Sequence, residues 1–294
     1  GCIPSQETAH SMAEKMIGRR VEQAVKRVDT TAGEVRLEVT DLAVTSDQPH
    51  GTNINGVNFS VRAGEIVGIA GIAGNGQIEL MGALSGETGP PLAGSVHILG
   101  REVADIGPME RRALGAVFVP EERIGQAAVS DLSLTQNSFL TASERMGFVA
   151  RGLVDWAGVA RFAGEILQQF NVKATGTTAL ASSLSGGNLQ KFIVGREILQ
   201  QPRLLVASQP TWGVDAGAAA AIHEQIQHLV SAGAGALVIS QDLDEIFLLC
   251  DRIAVISQGT LSDPRPASEV TPEQVGLLMG ARHDRASEIS HAAA

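Results

Sequence analysis

Gly71, Gly74 and Gly76 stand in the spacing Gly-x-x-Gly-x-Gly, directly after the apolar run Ile66 to Ala70. Glycines so spaced let backbone N–H groups and a helix N-terminus close around a phosphate. The pattern then requires Lys followed by Ser or Thr, to hold the β- and γ-phosphates and Mg²⁺. Those places hold Gln77 and Ile78. Gly71, Ile72, Ala73, Gly74, Asn75, Gly76, Gln77 and Ile78 are thus expected to line a phosphate loop that has kept its shape and lost its charge. The bland alternative is a tight strand-to-helix turn. A dinucleotide fold is disfavoured, because Glu79 stands where Gly74-x-Gly76 would need a third small residue.

Two further segments bear on phosphate chemistry. Residues 203–215 read RLLVASQPTWGVD, with Leu204 to Ala207 suited to a buried strand. In a nucleotide-hydrolysing protein that strand ends in a carboxylate for Mg²⁺ and a second one that polarises water; here the pair is Ser208 and Gln209. A further strand pattern, Ala236 to Ser240, leads into Gln241 and Asp242. Leu184-Ser185-Gly186-Gly187-Asn188-Leu189-Gln190 opens a helical stretch over 188–200, and small residues with free N–H groups at a helix start make a second anion site. Ser185 could be a helix cap alone, but the two glycines favour close approach by a ligand.

In order and spacing these motifs resemble the nucleotide-binding domain of ABC transporters, over roughly residues 34–285. LSGGNLQ is similar to the signature, SQPTWGVD to the Walker B segment and D-loop with its aspartate at Asp215, and ISQD to the switch segment with Gln241 for its histidine. Phe118 to Arg123, FVPEER, falls at the Q-loop, with Glu121 in the glutamine's place. The variants AGNGQ, VPEER and LSGGN narrow the resemblance to the second half of tandem ATPases serving bacterial simple-sugar and nucleoside importers.

The resemblance implies a P-loop NTPase of the α/β class: a parallel-sheet core, an antiparallel β-subdomain and a helical subdomain at about 125–200. It implies two ATPase domains meeting head to tail, with each ATP between one P-loop and the other domain's signature. No catalytic group is then intact in this chain, since Gln77, Ile78, Ser208, Gln209 and Gln241 fill the positions. ATP would be weakly held or absent at its own loop. Leu184, Ser185, Gly186, Gly187, Asn188, Gln190 and Asp215 would complete a Mg-ATP site of the upstream domain. The other implied partners are transmembrane permease subunits and, through them, a solute-binding protein, at the cytoplasmic face of a bacterial plasma membrane. One alternative is a coupling module that binds no nucleotide. Another, a soluble ABC ATPase of translation or DNA repair, would need intact Lys and Glu and basic surfaces.

Composition narrows the field. A formal net charge of −10 opposes a nucleic-acid surface, which needs clustered Lys and Arg. The lysines are Lys15, Lys26, Lys173 and Lys191, none near Gln77 in sequence. Cys2 and Cys250 provide no disulfide framework and fit a reducing cytoplasm. No apolar run nears the roughly 20 residues that span a bilayer. His223 and His228 are five apart on a helical pattern and off a common face, so no metal site is expected. Residues 5–18 and 268–280 share a Ser-x-x-Thr opening and an apolar ending before glycine, so residues 1–33 read as the tail of an upstream homologous domain plus a charged linker. Residues 286–294 read as a flexible tail.

The positioning elements follow from periodicity. Val35 to Val39, Val57 to Val61 and Ser95 to Leu99 suit an antiparallel sheet. Buried parallel strands are expected near 66–70, 116–119, 204–207, 236–240 and 253–257. The 125–200 segment lacks strand patterning, and carries a capping-box start at Ser133 to Gln136 and a helical stripe of Trp156, Val159, Phe162, Ile166 and Phe170, with Trp156 in the core. Asp242 with Glu245, and Thr271 with Pro272 and Gln274, read as helix starts. The segment 45–52, where an adenine-stacking ring is expected, offers only His50. Arg111-Arg112 and Glu121-Glu122 read as solvated charges, except that the motif position of Glu121 puts it near nucleotide and permease.

Overall fold

Uninterrupted apolar runs such as Ile66 to Ala70 need cover on both faces, whereas the alternation at Val35, Leu37 and Val39 needs cover on one. The structure, a computed structural model, describes residues 33–280. The proposed upstream tail, the linker and the C-terminal tail lie outside those residues. The strands are β1 (Val35–Val44), β2 (Ile54–Arg62), β3 (Ile66–Ala70), β4 (Ala93–Ile98), β5 (Arg101–Glu102), β6 (Ala116–Val119), β7 (Val149–Ala150), β8 (Leu153–Val154), β9 (Leu204–Ser208), β10 (Gly235–Ser240), β11 (Arg252–Ser257), β12 (Thr260–Leu261) and β13 (Arg265–Pro266). The α-helices are α1 (Gln77–Ser85), α2 (Pro108–Leu114), α3 (Leu134–Ala142), α4 (Trp156–Gln169), α5 (Gly186–Ile198), α6 (Ala216–Ser231), α7 (Leu243–Leu249) and α8 (Pro272–Gly280).

They form two compact units. The larger holds Gly33–Glu121, Arg203–Gln209 and the described residues from Gly233 onward. Its main sheet has the order β12-β11-β3-β10-β9-β6, with β13 beside β11. The pairs β11–β3, β3–β10, β10–β9 and β9–β6 are parallel. Every residue of β3, β6, β9 and β10 is buried, as their apolar runs require. Because these strands run the same way, the segments after β3, β6, β9 and β10 leave from one edge of the sheet, where open parallel sheets place ligands.

A second sheet in this unit is antiparallel, order β2-β1-β4-β5. Leu37, Val39, Leu42 and Val57 share one hydrophobic cluster with Val67 and Ile69 of β3 and Leu80 and Leu84 of α1. β1 continues past the expected Val39 to Val44, because a register irregularity between Val39 and Leu42 breaks the alternation. β4 ends at Ile98 rather than Leu99, because Leu99 (φ 53°) and Gly100 (φ 80°) form the two-residue turn into β5. Arg111, expected in solvent, is 3 % exposed. Its guanidinium donates to the Ala83 and Leu84 carbonyls at 2.6 and 2.8 Å, to Val103 at 2.5 Å and to Ile106 at 2.9 Å. The reason is local: it caps the last turn of α1, whose carbonyls have no partner within the helix. Burial lowers its pKa to about 10, which leaves it charged at neutral pH.

The other unit holds Glu122–Pro202 and Pro210–Ala232. Ser133 and Gln136 form the expected capping box on α3. Val159, Phe162 and Ile166 bury one side of α4. Trp156 is not core: as the first residue of α4 it is half exposed and packs its ring on Phe139, centroids 5.1 Å apart. Its helical spacing was compatible with the stripe, but the helix begins there and no turn precedes it to cover the ring. The segment also holds a strand pair absent from the sequence reading, β7 and β8, joined through Arg151 (φ 53°) and Gly152 (φ 78°). α5 starts at Gly186, two residues before the expected position. Gly195 lets it approach α4, since a Cβ there would stand 2.6 Å from the Phe170 ring. Arg196, 1 % exposed, pairs with buried Glu197 at 2.8 Å and donates to the Ala127 and Asn137 carbonyls.

Candidate functional site

In the larger unit the glycine loop joins β3 to α1. Gly74 (φ 84°) and Gly76 (φ 107°) are left-handed, and Gly76 caps α1 without a side chain. The loop is braced from outside: the Thr52 hydroxyl donates to the Gly74 carbonyl at 2.7 Å, and Gly259 N–H donates to that of Asn75 at 3.0 Å. Gln258 N–H donates to Asn75 Oδ1 at 2.9 Å. Gln77 fills the inside. Its Nε2 donates to the Ile72 carbonyl at 2.8 Å, its Oε1 accepts the Asn75 N–H at 3.0 Å, and it is 6 % exposed. A Cβ on Gly71 would stand 2.7 Å from that Nε2, so Gly71 makes room for the amide. An N–H that could bind phosphate is therefore satisfied from within the loop, by a side chain that carries no charge. Ile72 and Ile78 are 51 and 56 % exposed, and neither supplies a polar side-chain atom.

The remaining candidates of this unit lie where the parallel strands end. Ser208 closes β9 and is buried. Gln209 (φ 52°) donates its N–H to the Ile239 carbonyl at 2.8 Å, and its Oε1 accepts from the Ser240 hydroxyl at 3.5 Å. Gln241 follows Ser240, and Asp242 caps α7. Neither the Ser208 nor the Gln209 position has a carboxylate to bind a divalent ion or orient water. These residues do not fit Mg²⁺ with a triphosphate. Glu121, two residues past β6, reaches the surface, while the surrounding protein desolvates its carboxyl and raises its pKa. Among the described residues no group of His, Cys, Asp or Glu is arranged to hold a metal. His223 is buried and His228 exposed, as their spacing implied.

The sequence reading missed Glu79 as a structural tie. Buried in the first turn of α1, its Oε1 accepts the Ser46 hydroxyl at 2.8 Å and the Thr52 N–H at 2.9 Å, fastening the 46–52 loop to the helix. Gly51 is needed there, because a Cβ would stand 2.5 Å from Glu79 Oε1. His50 lies exposed on this loop at φ 71°. An acidic residue three places into a helix is a recognised end signal, but the acceptor it would serve is not written in the spacing.

In the other unit, Leu184 leads from a short 3₁₀ turn to Ser185, the N-cap of α5. The Ser185 hydroxyl accepts from Asn188 Nδ2 at 3.0 Å and from Asn188 N–H at 3.5 Å. A serine hydroxyl has two acceptor sites and one donor. With its oxygen accepting from Asn188, the hydroxyl keeps its donor for a further partner, and Ser185 is exposed at the helix end. Asn188 is fixed in turn by Lys173 N–H at its Oδ1, 2.9 Å. Asp215 caps α6 through Ala218 N–H at 3.0 Å. Gln190 is buried and donates to the Pro210 carbonyl at 2.9 Å. Gly187 lies against the segment before α6, a Cβ there standing 3.3 Å from the Gly213 carbonyl oxygen. Ser185 to Asn188, Gln190 and the approach to Asp215 are therefore one cluster.

The family model described as ABC transporter matches residues 54–212. The nucleoside import ATP-binding protein NupA of Lactococcus lactis subsp. cremoris is 36 % identical over 93 % of this chain and 54 % of its own length. The ribose import ATP-binding protein RbsA 1 of Rubrobacter xylanophilus is 38 % identical over 94 % of this chain and 54 % of its own length. The chain thus spans about half the length of these curated relatives. Among solved structures, an ATP binding subunit of an ABC transporter aligns with TM-score 0.66 at 26 % identity, over 83 % of this chain and 95 % of that one. The ATP-binding cassette MJ0796, in a dimeric post-hydrolysis state with ADP and Pi, aligns at 0.67 and 20 % identity, over 79 % of this chain and 98 % of that one.

Proposed function

Because the chain belongs to the ABC transporter family of ATP-binding domains, we propose that it serves a bacterial sugar or nucleoside importer by completing another domain's ATP site. The observation that carries this is exposed Ser185 at the N-terminus of α5, its hydroxyl oxygen accepting from Asn188 and so keeping its donor for a phosphate. Helix N–H groups and a hydroxyl donor together suit a γ-phosphate presented by a second domain. The partner domain is the upstream ATPase half of the same polypeptide; relatives of about twice the length support that reading. Permease subunits carry the solute across the membrane; among the described residues no helix is long and apolar enough to cross one. Names such as nucleoside import and ribose import support the solute class.

At its own loop the domain does not hydrolyse ATP. Phosphoryl transfer depends on positioning and charge stabilisation, and Gln77, Ile78, Ser208, Gln209 and Gln241 supply neither cation, metal ligand nor base. A second reading, a module that binds no nucleotide at this loop, is favoured by the Gln77 amide bonded to Ile72 and Asn75. Calorimetric titration of the purified chain with ATP and Mg²⁺ separates the readings: saturable binding abolished by Gly76→Val supports a static nucleotide site. Absence of binding supports the second. Either way, turnover is expected to equal buffer, and Mg²⁺-dependent hydrolysis lost in Gly76→Val would contradict the proposal.

A further inference from the structure

Glycine in a helix is unfavourable relative to alanine, so two in succession at the start of α5 need a reason. The structure supplies one for each. A Cβ on Gly186 would stand 2.7 Å from Nη1 of Arg123. Gly187 makes room for the backbone before α6. Gly213 (φ +65°) completes the slot, its Cβ position lying 2.8 Å from Nη2 of Arg123. Arg123 Nε donates to Gln190 Oε1 at 3.0 Å, and Nη2 donates to the Trp212 carbonyl. Gln190 extends the tie by donating to the Pro210 carbonyl at 2.9 Å. The guanidinium, packed on Gly186 and bonded to Gln190, thus ties the start of α5 to the segment that ends in Asp215, the cap of α6. A cation beside a helix N-terminus is opposed by the helix dipole, and burial adds to the cost by lowering the guanidinium pKa. Its hydrogen bonds must hold it there.

We propose that Arg123 is a positioning residue that makes the starts of α5 and α6 one rigid surface, so that Ser185 and Asp215 reach a partner's nucleotide together. The inference rests on the reading that this chain completes a partner site. A planar fork suits the task because its donors point in fixed, diverging directions; an ammonium on a flexible stem cannot reproduce that.

The test uses the longer tandem protein with its permease, comparing Arg123→Lys and Arg123→Ala with Ser185→Arg. Both Arg123 variants are expected to lower kcat at least tenfold while equilibrium ATP binding stays within twofold. In the 294-residue chain, Arg123→Lys is expected to speed hydrogen exchange at Gly213–Asp215 and Gly186–Asn188 at least tenfold, with β3 and β9 unchanged. Full kcat in Arg123→Lys overturns the proposal, whether or not exchange changes. Loss of kcat with unchanged exchange also overturns it, because the arginine then acts other than by clamping. If Ser185→Arg is inactive and Arg123→Lys fully active, only this proposal fails. Full activity in Ser185→Arg removes the reading beneath it. Should Arg123→Ala not fold, Arg123→Lys and the exchange pattern decide.

Discussion

Gln77 is the residue on which the proposal of a non-hydrolysing loop most depends. In place of a cation it puts a neutral amide that accepts the Asn75 N–H and donates to the Ile72 carbonyl. Gln77→Lys should free that N–H and add a charged donor, tightening ATP binding by about 1.5–3 kcal/mol, the range for a hydrogen bond to a charged group. It should create no ATPase, because Ser208 and Gln209 still supply no carboxylate; calorimetry and a turnover assay read the two effects. Asn188→Asp tests the other site. A carboxylate keeps the bond from Lys173 N–H but donates nothing to Ser185, so the hydroxyl turns inward. ATPase of the tandem protein should fall about 100-fold, as on losing an oriented oxyanion donor. Gln77 and Ser185 were legible because motif spacing names them. Glu79, Arg111 and Arg123 were not, since a charged residue near a motif does not declare which buried carbonyl or amide it will reach.

Elements were legible where periodicity was unbroken and illegible where single residues take left-handed backbone. The runs at 66–70 and 116–119 match β3 and β6 in full. Three hairpins escaped or were trimmed because their turns are Leu99-Gly100, Arg151-Gly152 and Gln258-Gly259, all at positive φ, rather than the Asn-Gly or Asp-Gly that announces such turns. Gln258→Asn should stabilise the chain by about 0.5–1 kcal/mol by relieving the left-handed strain, read as a raised denaturant midpoint. Gly259→Ala should do the reverse, by about 3 kcal/mol or more. A Cβ there would stand 1.7 Å from the Asn53 carbonyl oxygen, and the turn also carries the N–H groups that brace Asn75. In the helical unit, Arg196→Leu should cost about 3–5 kcal/mol by removing the guanidinium that balances the buried Glu197 charge. Arg196→Leu combined with Glu197→Leu should restore much of that, which a double-mutant cycle in urea measures.

At the scale of the whole molecule, one chain carries two phosphate-directed features with opposite fates. The loop after β3 keeps its glycines and left-handed turns, yet the Gln77 amide takes its Asn75 N–H and Ile72 carbonyl. The start of α5 keeps an exposed serine whose hydroxyl oxygen accepts from Asn188. The family and its fold were legible from the order of the motifs; the proposed division of labour rests on which side chains each site retains. The most direct test compares Ser185→Arg with Gln209→Asn in the tandem protein with its permease, assaying ATPase and solute uptake at matched expression. Asparagine is chosen because position 209 is left-handed (φ 52°), a conformation it tolerates. Ser185→Arg should abolish both activities, because bulk and a fixed charge block the α5 start, while Gln209→Asn should leave both within about twofold, a change under roughly 0.5 kcal/mol in barrier. Equal loss from the two substitutions, or full activity in Ser185→Arg, would contradict the account.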